Sequence, residues 1–144
     1  MKRFALVPVL AAAAGIFLAA ALPGLGVSRD PAPQTIKLTM RHSRFQPAHF
    51  TVRQGTTVRF IITNSDPIDH EFILGAEAVQ RRHETGTDTR HGAIPGEVSV
   101  PAGGVGETTY TFTRPGRLLI GCHAPGHYTY GMQGWVRVVE SPFQ

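Results

Sequence analysis

One cysteine stands in these 144 residues, Cys122, which excludes an intramolecular disulfide and any cluster needing two thiolates from one chain. Methionine is scarce too: three in all, counting Met1, too few for an open, Met-rich surface that gathers soft metal ions. No Lys/Arg block interleaved with aromatics occurs, and of the net charge of +4 two units come from Lys2 and Arg3. That balance fits a solvated surface and excludes a phosphate-binding patch. No internal repeat or low-complexity tract follows the N-terminal segment, and no His-x-His pair is present. A general acid/base or nucleophilic constellation is also missing, so the chain is not expected to be an enzyme.

What is there fills one domain, with a core large enough to stand without staples. Lys2 and Arg3 precede an uncharged, Ala- and Leu-rich stretch to Val27, and Ala19-Ala20-Ala21 offers a small-x-small cleavage site. Residues 1–27 therefore read as a signal peptide or membrane anchor, with cleavage favoured because Pro8, Gly15 and Pro23 weaken a permanent spanning helix. Residues 28–34, with two prolines, read as an extended linker, and 35–144 as the folded domain. The expected location is outside the cytoplasm, in the periplasm or on the outer face of the cytoplasmic membrane.

Within the domain, runs rich in Val, Ile, Thr and Phe alternate with Gly, Pro and Asn punctuation. Strands are predicted over 35–41, 50–53, 56–63, 70–74, 97–100, 108–113, 117–121 and 134–140. Seven or eight short strands with turn signals between them give an all-β fold, an antiparallel sandwich or barrel. Only 76–90 escapes the pattern, with helix formers for one or two turns before Gly86 and its threonines dissolve it.

A lone thiol in an exported chain is open to oxidation unless it is buried or metal-bound. Cys122, His127 and Met132 follow one another at five-residue steps, so one short loop can aim all three inward. A thiolate and an imidazole are strong copper ligands, and a thioether suits a long axial bond; a second histidine would complete a blue-copper set. His70 is the candidate, because it re-enters a strand after the polar turn Thr63–Asp69 and comes from a different part of the sheet.

The domain, from about Thr35 to Glu140, resembles a cupredoxin, the family of small blue-copper proteins. The resemblance is carried by Phe45-Gln-Pro47, Val52-x-x-Gly55-x-x-Val58-x-Phe60, Asn64 and Asp66 before His70-Glu-Phe72, Tyr110-x-Phe112-x-x-Pro-Gly116, and the Cys122-x₄-His127-x₄-Met132 loop. It implies a Greek-key β-sandwich, one copper held by His70, Cys122 and His127 with Met132 axial, and reversible one-electron transfer. Gly126, Pro125 and Gly131 would shape the loop. Redox partners such as a cytochrome, an oxidase or an oxidoreductase would meet it near His127, at a patch formed by Ala124, Pro125, Tyr128 and Tyr130. One position departs from the family pattern: Glu71 stands where Asn or Ser often follows the first histidine, which puts the hydrogen bonding around the cysteine sulfur in question.

Rival readings are weighed on single residues. His123 after the cysteine resembles part of the His-Cys-His motif of multicopper oxidases, but Gly121 breaks it, leaving His123 as a loop or surface residue. A binuclear copper site of the CuA type lacks its second cysteine. His83 and His91 flank the irregular excursion with seven residues between them, a spacing that does not point them together, so both are expected in solvent. His42 and His49 receive the same reading, and Trp135 is expected to fill core or cover the metal end. The leading function is an exported one-electron carrier; the alternative is copper delivery, storage or sensing in the cell envelope.

Overall fold

A computed structural model of the chain describes residues 33–86, 91–92 and 94–141; the predicted leader, and most of the linker, lie outside them. Nine strands and one helix are seen: β1 (Gln34–Met40), β2 (Phe45–Gln46), β3 (His49–Arg53), β4 (Thr57–Asn64), β5 (His70–Gly75), α1 (Glu77–Thr85), β6 (Glu97–Val100), β7 (Val105–Thr111), β8 (Gly116–Gly121) and β9 (Gln133–Val139). They form two sheets, ordered β2-β1-β4-β7 and β3-β9-β8-β5-β6, the sandwich that the resemblance implies.

Period-two patterning decides which face each strand buries. Val58, Phe60, Ile62 and Asn64 of β4 point inward, as do Gly134, Val136 and Val138 of β9. Between the sheets Phe60 packs against Phe72 at 5.1 Å, and Phe45 meets Phe72 edge-on at 6.0 Å, contacts whose geometry adds to the area they bury. β5 departs from alternation: Phe72, Ile73, Leu74 and Gly75 are all buried. The cause is α1, which lies over β5 and β8 on the outside and covers the face that would otherwise meet water.

Four expectations about the fold change. The sandwich is not wholly antiparallel, since β1 pairs with β4, and β3 with β9, in parallel. The chain leaves one sheet for the other between the members of each pair, and such a crossover, unlike a hairpin, can return a strand in the same direction. The two-residue β2 was not foreseen, because Phe45 and Gln46 are too short a run to register. Helix α1 is nine residues long, beyond the one or two turns expected. Trp135 is half-buried on the outer face of β9, stacked on His49 at 4.6 Å with Arg117 over its ring at 5.2 Å, so it does not fill the core.

Candidate metal centre

The neighbouring antiparallel strands β5 and β8, with Ile73 opposite Gly121, bring the start of one and the end of the other to the same edge of the sandwich. His70 opens β5 and Cys122 follows β8, so residues 52 apart in sequence become neighbours. His70 Nδ1 lies 3.2 Å from His127 Nδ1, Cys122 Sγ lies 3.3 Å from His127 Nδ1, and Cys122 Sγ lies 3.8 Å from His70 Nδ1. In a triangle with those sides the equidistant point is about 2.0 Å from each atom, close to the ~2.0–2.3 Å of nitrogen and sulfur bonds to a metal such as zinc.

The loop from Cys122 to Met132 is closed by its own backbone. The His127 amide donates to the Ala124 carbonyl at 2.9 Å, Met132 N–H to the His127 carbonyl at 2.9 Å, and Cys122 N–H to the Met132 carbonyl at 3.2 Å. Gly126 and Gly131 make the reversals possible at φ of 81° and 93°, a region that costs side chains other than glycine's. Met132 is fully buried beside the cysteine it is hydrogen-bonded to, and Cys122 and His70 are buried with it. His127 is half-buried. Of the anticipated patch around it, Pro125 and Tyr130 are exposed while Ala124 and Tyr128 are half-buried.

Asp66 sets the orientation of His70. Its carboxylate accepts from the backbone N–H of His42 at 2.7 Å and of Ser43 at 2.8 Å, and lies 2.8 Å from His70 Nε2. Burial pushes its pKa up, but the two amides and His70 outweigh that and hold the carboxyl below its ordinary range. An ionised carboxylate only accepts, so the proton of His70 sits on Nε2 and its Nδ1 lone pair faces the other ligands. Asn64 braces the turn, donating to the carbonyls of Ile68, Val100 and Pro101 and accepting from Asp66 N–H. The sequence reading quoted both residues without giving either this task. The signal was an aspartate four residues before a histidine across a polar turn.

Burial pushes the Cys122 thiol up to about 11, against the backbone amides of Glu71 and Ala124 and with help from the Glu71 charge. Burial also lowers the pKa of His127, aided by its neighbour His70 and opposed by Asp66. The His70 Nδ1 lone pair, the His127 imidazole and a thiol that needs a cation to ionise it make a donor set that fits a soft or borderline metal. Glu71 supplies the contact left in question: its N–H points at Cys122 Sγ at 3.3 Å, and its carboxylate accepts from His123 N–H at 3.2 Å. The strand and the loop are thereby tied on the sulfur's side.

Gly121 acquires a positive reason. A β-carbon there would lie 2.5 Å from Gln80 Oε1 and 2.6 Å from the Tyr128 ring, so the histidine of a His-Cys-His motif has no room. Two histidines depart from expectation. The side chains of His83 and His91 are 6% and 5% exposed, with rings 4.8 Å apart, because α1 turns one inward and the chain entering β6 carries the other back over it. His123 is half-buried and stacked on Tyr128 at 4.6 Å, a packed residue of the loop. His42 and His49 are exposed, as expected.

Comparison with known proteins shows what the chain is similar to. The family model described as a cupredoxin-like domain matches residues 9–90, which include His70 and stop short of the Cys122 loop. A relative from Rubrivivax gelatinosus, named copper-resistant cuproprotein CopI, is 42% identical over 112 residues, 74% of this chain and 67% of its own length. A protein of the same name from Pseudomonas aeruginosa is 31% identical over 139 residues, 74% of this chain and 77% of its own. Among solved structures, auracyanin A, a "blue" copper protein from Chloroflexus aurantiacus, superposes with a TM-score of 0.59 at 25% identity, over 74% of this chain and 99% of its own.

Proposed function

Because the chain belongs to the cupredoxin-like family, we propose that it binds one copper ion through His70, Cys122 and His127, with Met132 as a distant fourth ligand, and serves copper tolerance in the cell envelope. The observation that carries this reading is the convergence of His70 Nδ1, His127 Nδ1 and Cys122 Sγ within 3.8 Å of one another. The names of the relatives move the weight from electron carriage, the leading expectation from sequence, toward copper handling. When bound, copper supplies a one-electron couple between Cu(I) and Cu(II).

The chain's own residues do the rest. Asp66 holds the His70 proton on Nε2 and keeps Nδ1 free for the metal. The Glu71 amide faces the cysteine sulfur and stabilises it as a thiolate. Cys122 gives up its proton as metal enters, so binding acidifies the solution and weakens as pH falls. Met132, Cys122 and His70 are buried away from water, while half-buried His127 forms the accessible edge. The chain carries or holds copper without a catalytic step of its own.

The test is to load the purified protein with Cu(II) and look for intense visible thiolate-to-copper absorption, then ask whether deleting the gene makes its host copper-sensitive. A colourless protein sinks the ligand assignment; an unchanged host sinks the tolerance role. One-electron carriage stays as a second reading because hydrogen bonds to Asp66 and from Glu71 hold His70 and Cys122 in place, and a site that moves little reorganises little. Reversible bleaching by a reductant, with copper retained against a Cu(I) chelator, supports a carrier of electrons to a cytochrome, oxidase or oxidoreductase. Ready loss of Cu(I) to the chelator supports a carrier of copper.

A further inference from the structure

We propose that His83, His91 and Glu97 form a second metal site, beside the first, for a divalent transition ion that takes imidazole and carboxylate ligands. The inference stands whether or not the first site is as described. Ligand atoms of the three residues lie within 4.8 Å of one another. His83 Nε2 is 3.2 Å and His91 Nδ1 3.4 Å from the same oxygen, Glu97 Oε2. Those spacings match the edge of about 3.3 Å in a tetrahedron whose bonds are ~2.0–2.1 Å long. The residues come from α1, the segment before β6, and β6 itself, so the fold gathers them.

The hydrogen bonding of the imidazoles points to a cation. His83 Nδ1 lies 2.9 Å from the Val79 carbonyl, which only accepts, so the proton sits on Nδ1. Its Nε2 then turns a lone pair toward the Glu97 carboxylate. A ligating histidine characteristically shows this arrangement, one nitrogen donating to a carbonyl and the other free for metal. His91 faces carboxylates with both nitrogens, Glu97 through Nδ1 and Glu71 through Nε2 at 3.5 Å, and a neutral ring can donate to only one of them. One divalent ion satisfies both lone pairs and the buried Glu97 charge together.

A fourth donor lies alongside. The Gln80 amide donates to the carbonyls of Ile73 and Leu119, which leaves its oxygen 2.8 Å from His123 Nε2 and puts the His123 proton there. His123 Nδ1 is buried and has no partner among the described residues, and its ring centroid is 5.8 Å from that of His83. Glu71, His83, His91 and His123 line a cavity of about 90 Å³, room for an ion and a water. Arg82 also lines it, bound to the other Glu97 oxygen at 3.1 Å. Nitrogen and oxygen donors select Cu²⁺ ahead of Zn²⁺. Glu71 touches both centres, through its amide at Cys122 and its carboxylate at His91.

The experiment compares Zn²⁺ and Cu²⁺ binding to the full chain, to His83→Gln/His91→Gln, to Cys122→Ser/His127→Gln, and to the combination of all four changes. Equilibrium dialysis should find two equivalents on the unaltered chain, one on each double variant and none on the combination. Cu²⁺ on Cys122→Ser/His127→Gln should lack the thiolate absorption and show imidazole nitrogen coupling in its electron paramagnetic resonance spectrum. Zn²⁺ should also raise the melting temperature of that variant, a readout untouched by any misfolding of the histidine variants. No bound metal and no rise in melting temperature for Cys122→Ser/His127→Gln would overturn the site, as would unchanged stoichiometry in a folded His83→Gln/His91→Gln. Loss of colour from the unaltered chain with one Zn²⁺ retained would count against the first site alone.

Discussion

At the scale of single residues, the copper reading makes Cys122 indispensable and Met132 adjustable. Cys122→Ser is expected to abolish the visible absorption of the copper-loaded protein. Met132→Leu is expected to keep it and raise the reduction potential, since losing a weak donor disfavours Cu(II) more than Cu(I); voltammetry of the coloured variant measures this. Asp66→Asn removes the charge that fixes the His70 proton and should cost ~10–100-fold in copper affinity, the usual scale for residues that orient a ligand, read by competition with a chelator. The thiol, held up at about 11 by burial, must lose its proton on binding. Apparent affinity should therefore fall about tenfold for each unit of pH below that point through the thiol alone. An affinity flat between pH 6 and 9 would mean the sulfur is not a ligand. Cys122, His127 and Met132 were legible because they share one loop at regular steps; Asp66 was quoted but not understood, since its task exists only once the His42–Ser43 turn folds over it.

At the scale of elements, α1 and the end of β8 meet where a side chain will not fit. Gly121→Ala would drive a β-carbon against Gln80 and the Tyr128 ring, and overpacking of this kind costs about 1–3 kcal/mol. Chemical denaturation should show that loss, and the Cys122 loop should be disturbed with it, because Tyr128 belongs to the loop. Most strands were readable from alternation and turn residues. β5 was found as well, although its all-buried pattern hides which element covers it. The position of α1 could not be read, and with it went the fate of His83: a helix's inward face depends on what it packs against. Parallel pairing of β1 with β4 and β3 with β9 was equally hidden, because local patterning carries no direction.

At the scale of the whole molecule, buried neutral histidines predict how the metal-free protein responds to acid. Burial lowers the pKa of His123 to about 4, with further lowering by His83 and His91, and burial lowers that of His127 too. The unfolded chain then binds more protons than the folded one below the ordinary histidine value near 6.5, so stability falls as pH drops from there toward 4. Asp66, held below its ordinary range, adds a second loss under pH 4, where its carboxylate is finally protonated. Denaturation midpoints across pH 4–8 should decline on the acid side, and copper should delay the decline by holding His127 against protonation; a flat profile over that range would contradict the lowering of both histidines. The sequence by itself determined the β-rich class, through alternation and turn chemistry, and the candidate ligands of the loop, through spacing along a short contiguous segment. Only the tertiary structure decided that Asp66 backs His70, that Gly121 is required by its neighbours, and that His83, His91 and Glu97 converge. Those facts depend on distances between residues far apart in the chain, which are set by how sheets and helix pack and not by any local pattern.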